Sequence, residues 1–364
     1  MKPKILHIIF NLGRGGAETM LVNMVKEVEE YEHVIVTLFP ENHFGNEIQN
    51  ARIVCMNLKL KNLLFFPIVA QSLKKIILSE KPALIHTHLY WPTVLARMCT
   101  PRHIPLVTTI HAFAGQLVDF KRWYLKMLYR FSYGIRPSTM VAVANGALKE
   151  YYSYLKLKPG RNHVLYTFVD TGKFFPSNTA LPGETLKLVS VGALRYQKNH
   201  EYLIRALKHL DHSDVSIDIY GEGPLREDIR EKINASGVNI RLMGQVSNIS
   251  EKLKQYDAFI MPSFYEGFSL GVLEAMAMKI PLLLSDIPSF REQCDNSAMY
   301  FSLHDPSDLA QKILQLKGDQ KGLQERSEAA YERVLKNFTL PIHLEKLRQI
   351  YRLELEPEKH NARW

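Results

Sequence analysis

The chain is poor in cysteine, with only Cys55, Cys99 and Cys294 among 364 residues. Three widely spaced thiols argue against a disulfide framework or a zinc knuckle and fit a reducing cytoplasm. No apolar run reaches the roughly 18–20 residues that span a bilayer, so no transmembrane helix is expected. Lys2 and Lys4 lead directly into a short strand pattern at 5–10, which reads against a secretory signal. Acidic residues are scarce in the first half. Residues 1–173 carry 22 Lys and Arg against 11 Asp and Glu, whereas 174–364 carry 24 against 26. The net charge of +9 therefore belongs wholly to the first half. Such asymmetry suits an anionic lipid surface or a phosphate-bearing acceptor, with a merely solubilising surface as the plain alternative.

What is present reads as a globular α/β protein. Hydrophobic residues make up 46% and charged residues 23%, and the length allows two cores. Strand-like runs at 5–10, 34–39, 83–85, 106–109 and 140–143 alternate with helical patterns, such as Met20, Leu21, Met24, Val25 and Val28 on one helix face. Pro176, Ser177, Asn178, Pro182 and Gly183 then punctuate the chain at 175–184. The rhythm restarts with strands at 186–191, 215–220, 258–261 and 281–284 and a helix at 201–210. This predicts two doubly wound parallel-sheet domains, 1–173 and 174–342. A C-terminal helix and tail, 343–364, should pack back toward the first domain.

The most informative segment is YDAFIMPSFYEGFSLGVLEAMAMKIPLLLSD, 256–286. A strand ends near Pro262, a polar loop with Gly267 follows and a helix begins near Leu270, so the backbone N–H groups around Phe268–Gly271, Ser269 and Leu270 among them, should converge on a phosphate. Glu266 and Glu274 flank that point. Carboxylates repel phosphate but accept hydrogen bonds from sugar hydroxyls, which points to a sugar on each side of a diphosphate. The spacing Glu266–(seven residues)–Glu274 closely resembles the EX7E motif of retaining GT-B glycosyltransferases, of the family 4-like kind that assembles bacterial polysaccharides and lipid-linked glycans. The resemblance implies two Rossmann-like domains facing each other across a cleft. It also implies that Glu266 contacts the transferred sugar and Glu274 the donor ribose.

Other segments take their meaning beside that motif. In VSVGALRYQKN, 189–199, Gly192 ends a strand, and Arg195 and Lys198 could offset charge on a departing nucleotide. The family usually has Arg directly after this glycine, where Ala193 stands, so Arg195 would supply the guanidinium instead. GRGGAE, 13–18, lacks the third glycine of a dinucleotide fingerprint, with Glu18 in its place. It resembles the family's Gly-Gly-Ala-Glu loop, in which Gly15 and Gly16 would approach the reacting groups. His111, in TTIHAF, resembles the active-site histidine that contacts the sugar. Gly221 and Gly223 in YGEGPLRE resemble a turn near the nucleotide, and Gln245 and Val246 match a region near its base. Thr167 and Phe168 stand where relatives carry Asn-Gly.

His86 and His88 share one strand face and could form half of a metal site, but no Asp-x-Asp occurs and no third ligand is evident. Neither metal nor cofactor is expected. The stretch 120–131, FKRWYLKMLYRF, interleaves Lys121, Arg122, Lys126 and Arg130 with Trp123, Tyr124, Tyr129 and Phe131, and reads as a basic aromatic helix suited to a membrane interface. No nucleic-acid recognition motif accompanies it.

The expectation is a retaining, metal-independent transferase moving a hexose-type sugar from a nucleotide-diphosphate donor, UDP by family frequency. The acceptor would be a glycan or polyprenyl-diphosphate-linked glycan at the inner face of the cell membrane. A nucleotide-sugar epimerase and a non-catalytic nucleotide-sugar binder are the alternatives.

Overall fold

The computed structural model describes residues 2–13, 15–59, 66–176, 185–210 and 215–356. Arg14, most of the punctuated stretch at 175–184 and the expected tail after 356 lie outside the described residues. The chain forms two units, Met1–Thr167 with Pro341–Trp364, and Phe168–Leu340. The chain thus passes from the first unit to the second after Thr167 and returns before Pro341.

The first unit is built on seven strands: β1 (Lys4–Ile9), β2 (Glu32–Thr37), β3 (Ala51–Cys55), β4 (Leu84–His88), β5 (Leu106–Ile110), β6 (Thr139–Ala142) and β7 (Asn162–Val164). They lie in the order β3-β2-β1-β4-β5-β6-β7, and every pairing is parallel. The second unit holds β8 (Leu186–Val191), β9 (Val215–Tyr220), β10 (Ile240–Gly244), β11 (Ala258–Met261), β12 (Leu282–Ser285) and β13 (Met299–Phe301). Their order is β10-β9-β8-β11-β12-β13, again all parallel.

Strands such as AFIM and LLLS are buried along their whole length, because helices cover both faces of a parallel sheet. In the second unit Leu188, Ile217, Ile219, Ile260 and Leu283 form one core with Leu203, Ile229 and Ile313 from the helices. Each such side chain contributes roughly 1.5–3 kcal/mol relative to exposure. In the first unit helix Gly16–Glu27 buries Met20, Leu21, Met24 and Val25, the face its spacing predicts. The winding reverses between β1 and β4 and between β8 and β11. Crevices at the carboxyl ends of such strand pairs are where doubly wound folds bind ligands.

Helix Leu340–Leu355 belongs to the first unit from Pro341 onward. His343 Nδ1 lies 2.7 Å from the Tyr166 carbonyl oxygen and the Tyr351 hydroxyl 2.7 Å from His86 Nδ1, while Thr139 donates to Glu354 at 2.8 Å. The helix expected over 201–210 ends at Leu207, because His209 and Leu210 donate to carbonyls three residues back and tighten the chain out of it.

The basic aromatic stretch is not one helix. Arg122 is extended (φ −91°, ψ 113°) and separates helix Val118–Lys121 from helix Trp123–Ile135. This break seats Phe120 edge-on to Tyr90, Tyr129 and Tyr151. Tyr129, expected on the surface, is buried beneath the Arg97 guanidinium, 4.4 Å from its ring centroid. The exposed stripe is instead Trp123, Met127, Phe131 and Ile135, four residues apart on one helix face.

Candidate active site

In the second unit the loops after β8, β9 and β11 gather at the switch point. Val191 ends β8 and Gly192 turns the chain. Side-chain bulk at Gly192 would crowd Lys198, because a Cβ would stand 3.1 Å from Lys198 Cε. Lys198 Nζ donates to Glu266 Oε1 at 2.7 Å, and Ser263 Oγ donates to the same oxygen at 2.7 Å. Gln197 Nε2 reaches Glu266 Oε2 at 3.3 Å and the Tyr265 carbonyl at 3.0 Å, and the Phe264 N–H returns to the Gln197 carbonyl at 2.9 Å. Glu266 is thus a buried carboxylate on its strand-end loop, and Lys198, itself largely buried, neutralises it. An ammonium has three N–H groups, so the contact to Glu266 leaves Lys198 donors for an anion.

The glycine turn after β9 buttresses the β8 loop. Gly221 has φ +146°, and a Cβ there would fall 2.0 Å from the Gly192 carbonyl oxygen. At Gly223 it would fall 2.5 Å from the Leu194 oxygen. Only glycine lets the two loops lie this close. The Gly221 N–H donates to the Gly244 carbonyl at 2.9 Å, which draws Gln245 and Val246 beside this turn.

Helix Leu270–Ala277 begins beside β8, since a Cβ on Gly271 would come 3.1 Å from the Val191 oxygen. The anticipated N–H cluster is smaller than expected. Gln293, wholly buried on helix Pro288–Cys294, accepts from the Ser269 N–H at 3.0 Å and donates to the Ser269 carbonyl at 2.8 Å. The Ser269 amide is therefore taken. The N–H groups directed out of the helix start are those of its first turn, Leu270 and Gly271. Phe268 turns inward, edge-on to Phe338, and Gly267 precedes it in the loop. Glu274 sits one turn further in, half-buried, and its carboxylate makes no hydrogen bond among the described residues. Burial pushes its pKa up to about 7, with the Lys173 ammonium drawing it partly back. Arg195 is exposed, and its guanidinium meets no polar partner among the described residues.

In the first unit the corresponding edge holds exposed Gly15 and Gly16 at the start of helix Gly16–Glu27, with His88 at the end of β4 and His111 just after β5. Gly15 is the N-cap of that helix and accepts from the Thr19 N–H at 3.0 Å. His88, the last residue of β4, places Nδ1 3.3 Å from His111 Nε2. Burial lowers the pKa of His111 to about 4 and that of His88 well below the usual range, so both are neutral near pH 7. The sequence left His86 and His88 without a third partner, but β1 supplies one. His7 pairs with His86 in register, and ring nitrogens of His7, His86 and His88 lie within 4.8 Å of one another.

Two doubly wound units, each with its polar residues at the carboxyl edge of a switch point, and a lysine–glutamate pair in the second, fit a glycosyltransferase of GT-B fold. The comparisons agree. Residues 14–173 match Glycosyltransferase Family 4 and residues 173–333 match Glycosyl transferases group 1. The chain is 25% identical over 304 residues to the UDP-Gal:alpha-D-GlcNAc-diphosphoundecaprenol alpha-1,3-galactosyltransferase of Escherichia coli, covering 77% of this chain and 78% of that one. It is 22% identical over 345 residues to the O-antigen biosynthesis glycosyltransferase WclY of E. coli, with 90% and 93% covered. Anabaena Alr3699/HepE, solved with UDP and glucose, superposes with a TM-score of 0.81 at 14% identity over 96% of this chain and 99% of that one. The protein is a glycosyltransferase of GT-B fold. Among the described residues no helix is long and apolar enough to cross a membrane.

Proposed function

We propose that the protein transfers a hexose-type sugar from a UDP-sugar to a glycan or polyprenyl-diphosphate-linked acceptor, with retention of configuration and without a metal ion, in bacterial surface polysaccharide synthesis. The observation that carries this reading is the Lys198–Glu266 pair at the β8/β11 switch point, with Glu274 a turn inside the adjoining helix. The relative that uses UDP-Gal and a diphosphoundecaprenol acceptor, and the UDP- and glucose-bound neighbour, supply the substrate class.

In the proposed reaction the bond from the sugar C1 to the β-phosphate oxygen breaks. The acceptor oxygen bonds to C1 on the same face through an oxocarbenium-like state. The acceptor proton passes to the departing phosphate. Lys198, Arg195 and the Leu270 and Gly271 N–H groups stabilise the charge that develops on that phosphate, work that a divalent cation does in other transferases. Glu266 accepts from sugar hydroxyls, His111 contacts the sugar, and Glu274 accepts from the ribose. Gly15, Gly16, Gly192, Gly221 and Gly223 keep the backbone close, and Gln245 and Val246 flank the base.

Glu274 makes donor binding pH-dependent. A carboxyl with its pKa near 7 is half protonated at neutral pH, and ribose hydroxyls donate more strongly to its charged form than to its neutral one. UDP affinity should rise as pH climbs from 6 to 8. Calorimetry near pH 7 in buffers of different ionisation enthalpy should show proton release on binding, and Glu274→Gln should abolish both effects. UDP binding that is flat with pH in the parent would remove Glu274 from the ribose site.

The first unit supplies the reading of location. Trp123 is 76% and Phe131 61% exposed, and Lys121 and Arg122 are exposed beside them. Lys126 is partly committed, with its ammonium 3.7 Å over the Tyr154 ring. Each cation near an anionic surface contributes roughly 1 kcal/mol, so four give reversible adsorption, deepened by the apolar stripe. Replacing Lys121, Arg122, Lys126 and Arg130 with Gln should abolish sedimentation with anionic liposomes while sparing transfer to a short soluble acceptor. A parent protein that ignores anionic vesicles at low salt would leave the basic surface a solubilising one.

A further inference from the structure

The histidines of the first unit are more ordered than a ligand cluster requires. Two contacts repeat the same diagonal between parallel strands. His86 pairs with Val107 in register and bonds Thr109, two residues on; His88 pairs with Thr109 and reaches His111. The strand period of two places His86, His88 and Thr109 on one sheet face, and His111 follows β5 in the same phase.

The chain of bonds also fixes where protons sit. The Val28 carbonyl can only accept, so His33 Nε2, 2.7 Å away, carries a hydrogen. Burial keeps His33 neutral, so its Nδ1 is a lone pair that accepts from His7 Nε2–H at 3.0 Å. His7 Nδ1 is then also a lone pair, buried and without a partner. His88 Nε2 is buried and unpartnered too. Both nitrogens of His86 face hydroxyls, those of Tyr351 and Thr109, so this cluster offers one open lone pair, on His7, and one unpartnered ring nitrogen, on His88, rather than three ready ligands.

Two arrangements of the His88–His111 contact remain. If His111 donated, the His88 proton would lie on Nε2, leaving a buried N–H with no acceptor, the rarer defect in folded proteins. If His88 donates through Nδ1–H, only a lone pair is left over, and the His111 proton moves to Nδ1. That nitrogen is bound by no protein group among the described residues.

We infer that His88 is a positioning residue that holds His111 in its Nδ1–H tautomer, so that His111 offers the substrate a hydrogen-bond donor and cannot act as the base for the acceptor hydroxyl. This rests on the proposed role of His111 at the sugar. The donor would suit a sugar oxygen, and its fixed tautomer agrees with a proton that leaves through the phosphate.

The test uses the full chain labelled with 15N-histidine, and two-bond 1H–15N correlation spectra assigned for His111 by its loss in His111→Gln. The parent should show His111 protonated on Nδ1 and bare on Nε2. His88→Leu cannot donate and should move His111 toward the Nε2–H tautomer. It should also lower kcat roughly tenfold, equivalent to about 1.4 kcal/mol, with the KM for the UDP-sugar within about twofold. His88→Asn places an amide N–H where Nδ1–H stood and should restore both the spectrum and kcat. A parent spectrum with His111 protonated on Nε2 overturns the inference even if no variant folds well. Equal losses in His88→Leu and His88→Asn also overturn it. A correct spectrum in a protein that transfers no sugar would instead count against the functional reading alone.

Discussion

Lys198→Ala should lower turnover by about two to three orders of magnitude, the scale for losing one preorganised charge stabiliser. The side chain is held where it is needed before any ligand arrives, against Gly192 and 2.7 Å from Glu266 Oε1. Its charge is therefore oriented without rearrangement as the phosphate departs. The loss should appear mainly in kcat, because charge on the leaving oxygen grows toward the transition state. The substitution also strands a buried carboxylate, and breaking such a pair costs up to about 3–5 kcal/mol. Thermal unfolding should therefore fall with turnover, and the rate should be read below the new midpoint. Turnover within a few-fold of the parent would reduce Lys198 to a structural partner of Glu266.

Glu266→Gln should cut sugar transfer by a similar factor, about a hundredfold or more, yet leave UDP binding at least as tight as in the parent. The amide removes a charge that attracts Lys198 and competes with phosphate for the same ammonium. It keeps the volume and can still accept from Ser263 Oγ, now 2.7 Å from Oε1. Calorimetry with UDP and initial rates with a UDP-sugar separate the two effects. Because Lys198 and Glu266 touch, the double variant should lose much less than the product of the single losses. Losses that multiply would mean the two residues act in separate places. UDP binding weakened as much as transfer would place Glu266 at the nucleotide rather than at the sugar.

Much of this was legible in the sequence because parallel strands announce themselves. Runs such as LKLVSV and VSIDIY are short, mostly apolar or β-branched, and each is followed by a glycine turn, so strands and the loops after them could be placed directly. Loop position at a strand end fixes position at the sheet edge, which is why Gly192, Lys198 and Glu266 converge. What spacing cannot show is pairing across distance. Lys198 and Glu266 are 68 residues apart, and nothing local says that they neutralise each other. The Gln293 clamp on Ser269, the charge of Lys173 near Glu274, and His7 and His33 joining the β4 histidines have the same origin. Each is a contact between elements, set by sheet order and helix packing. The break at Arg122 escaped for another reason. Its residues all accept a helix, and the burial of Phe120 against three tyrosines outweighs that propensity.

The central claim, retaining transfer from a UDP-sugar without metal, is most directly tested by one product analysis. The full chain would be incubated with an α-linked UDP-hexose and a polyprenyl-diphosphate-linked sugar in the presence of EDTA, across a panel of donors. The anomeric configuration of the isolated product would then be read by NMR. The account predicts an acceptor-dependent product whose new linkage is α. A β linkage, a product that forms only when a divalent cation is restored, or a free sugar released equally without acceptor would contradict it.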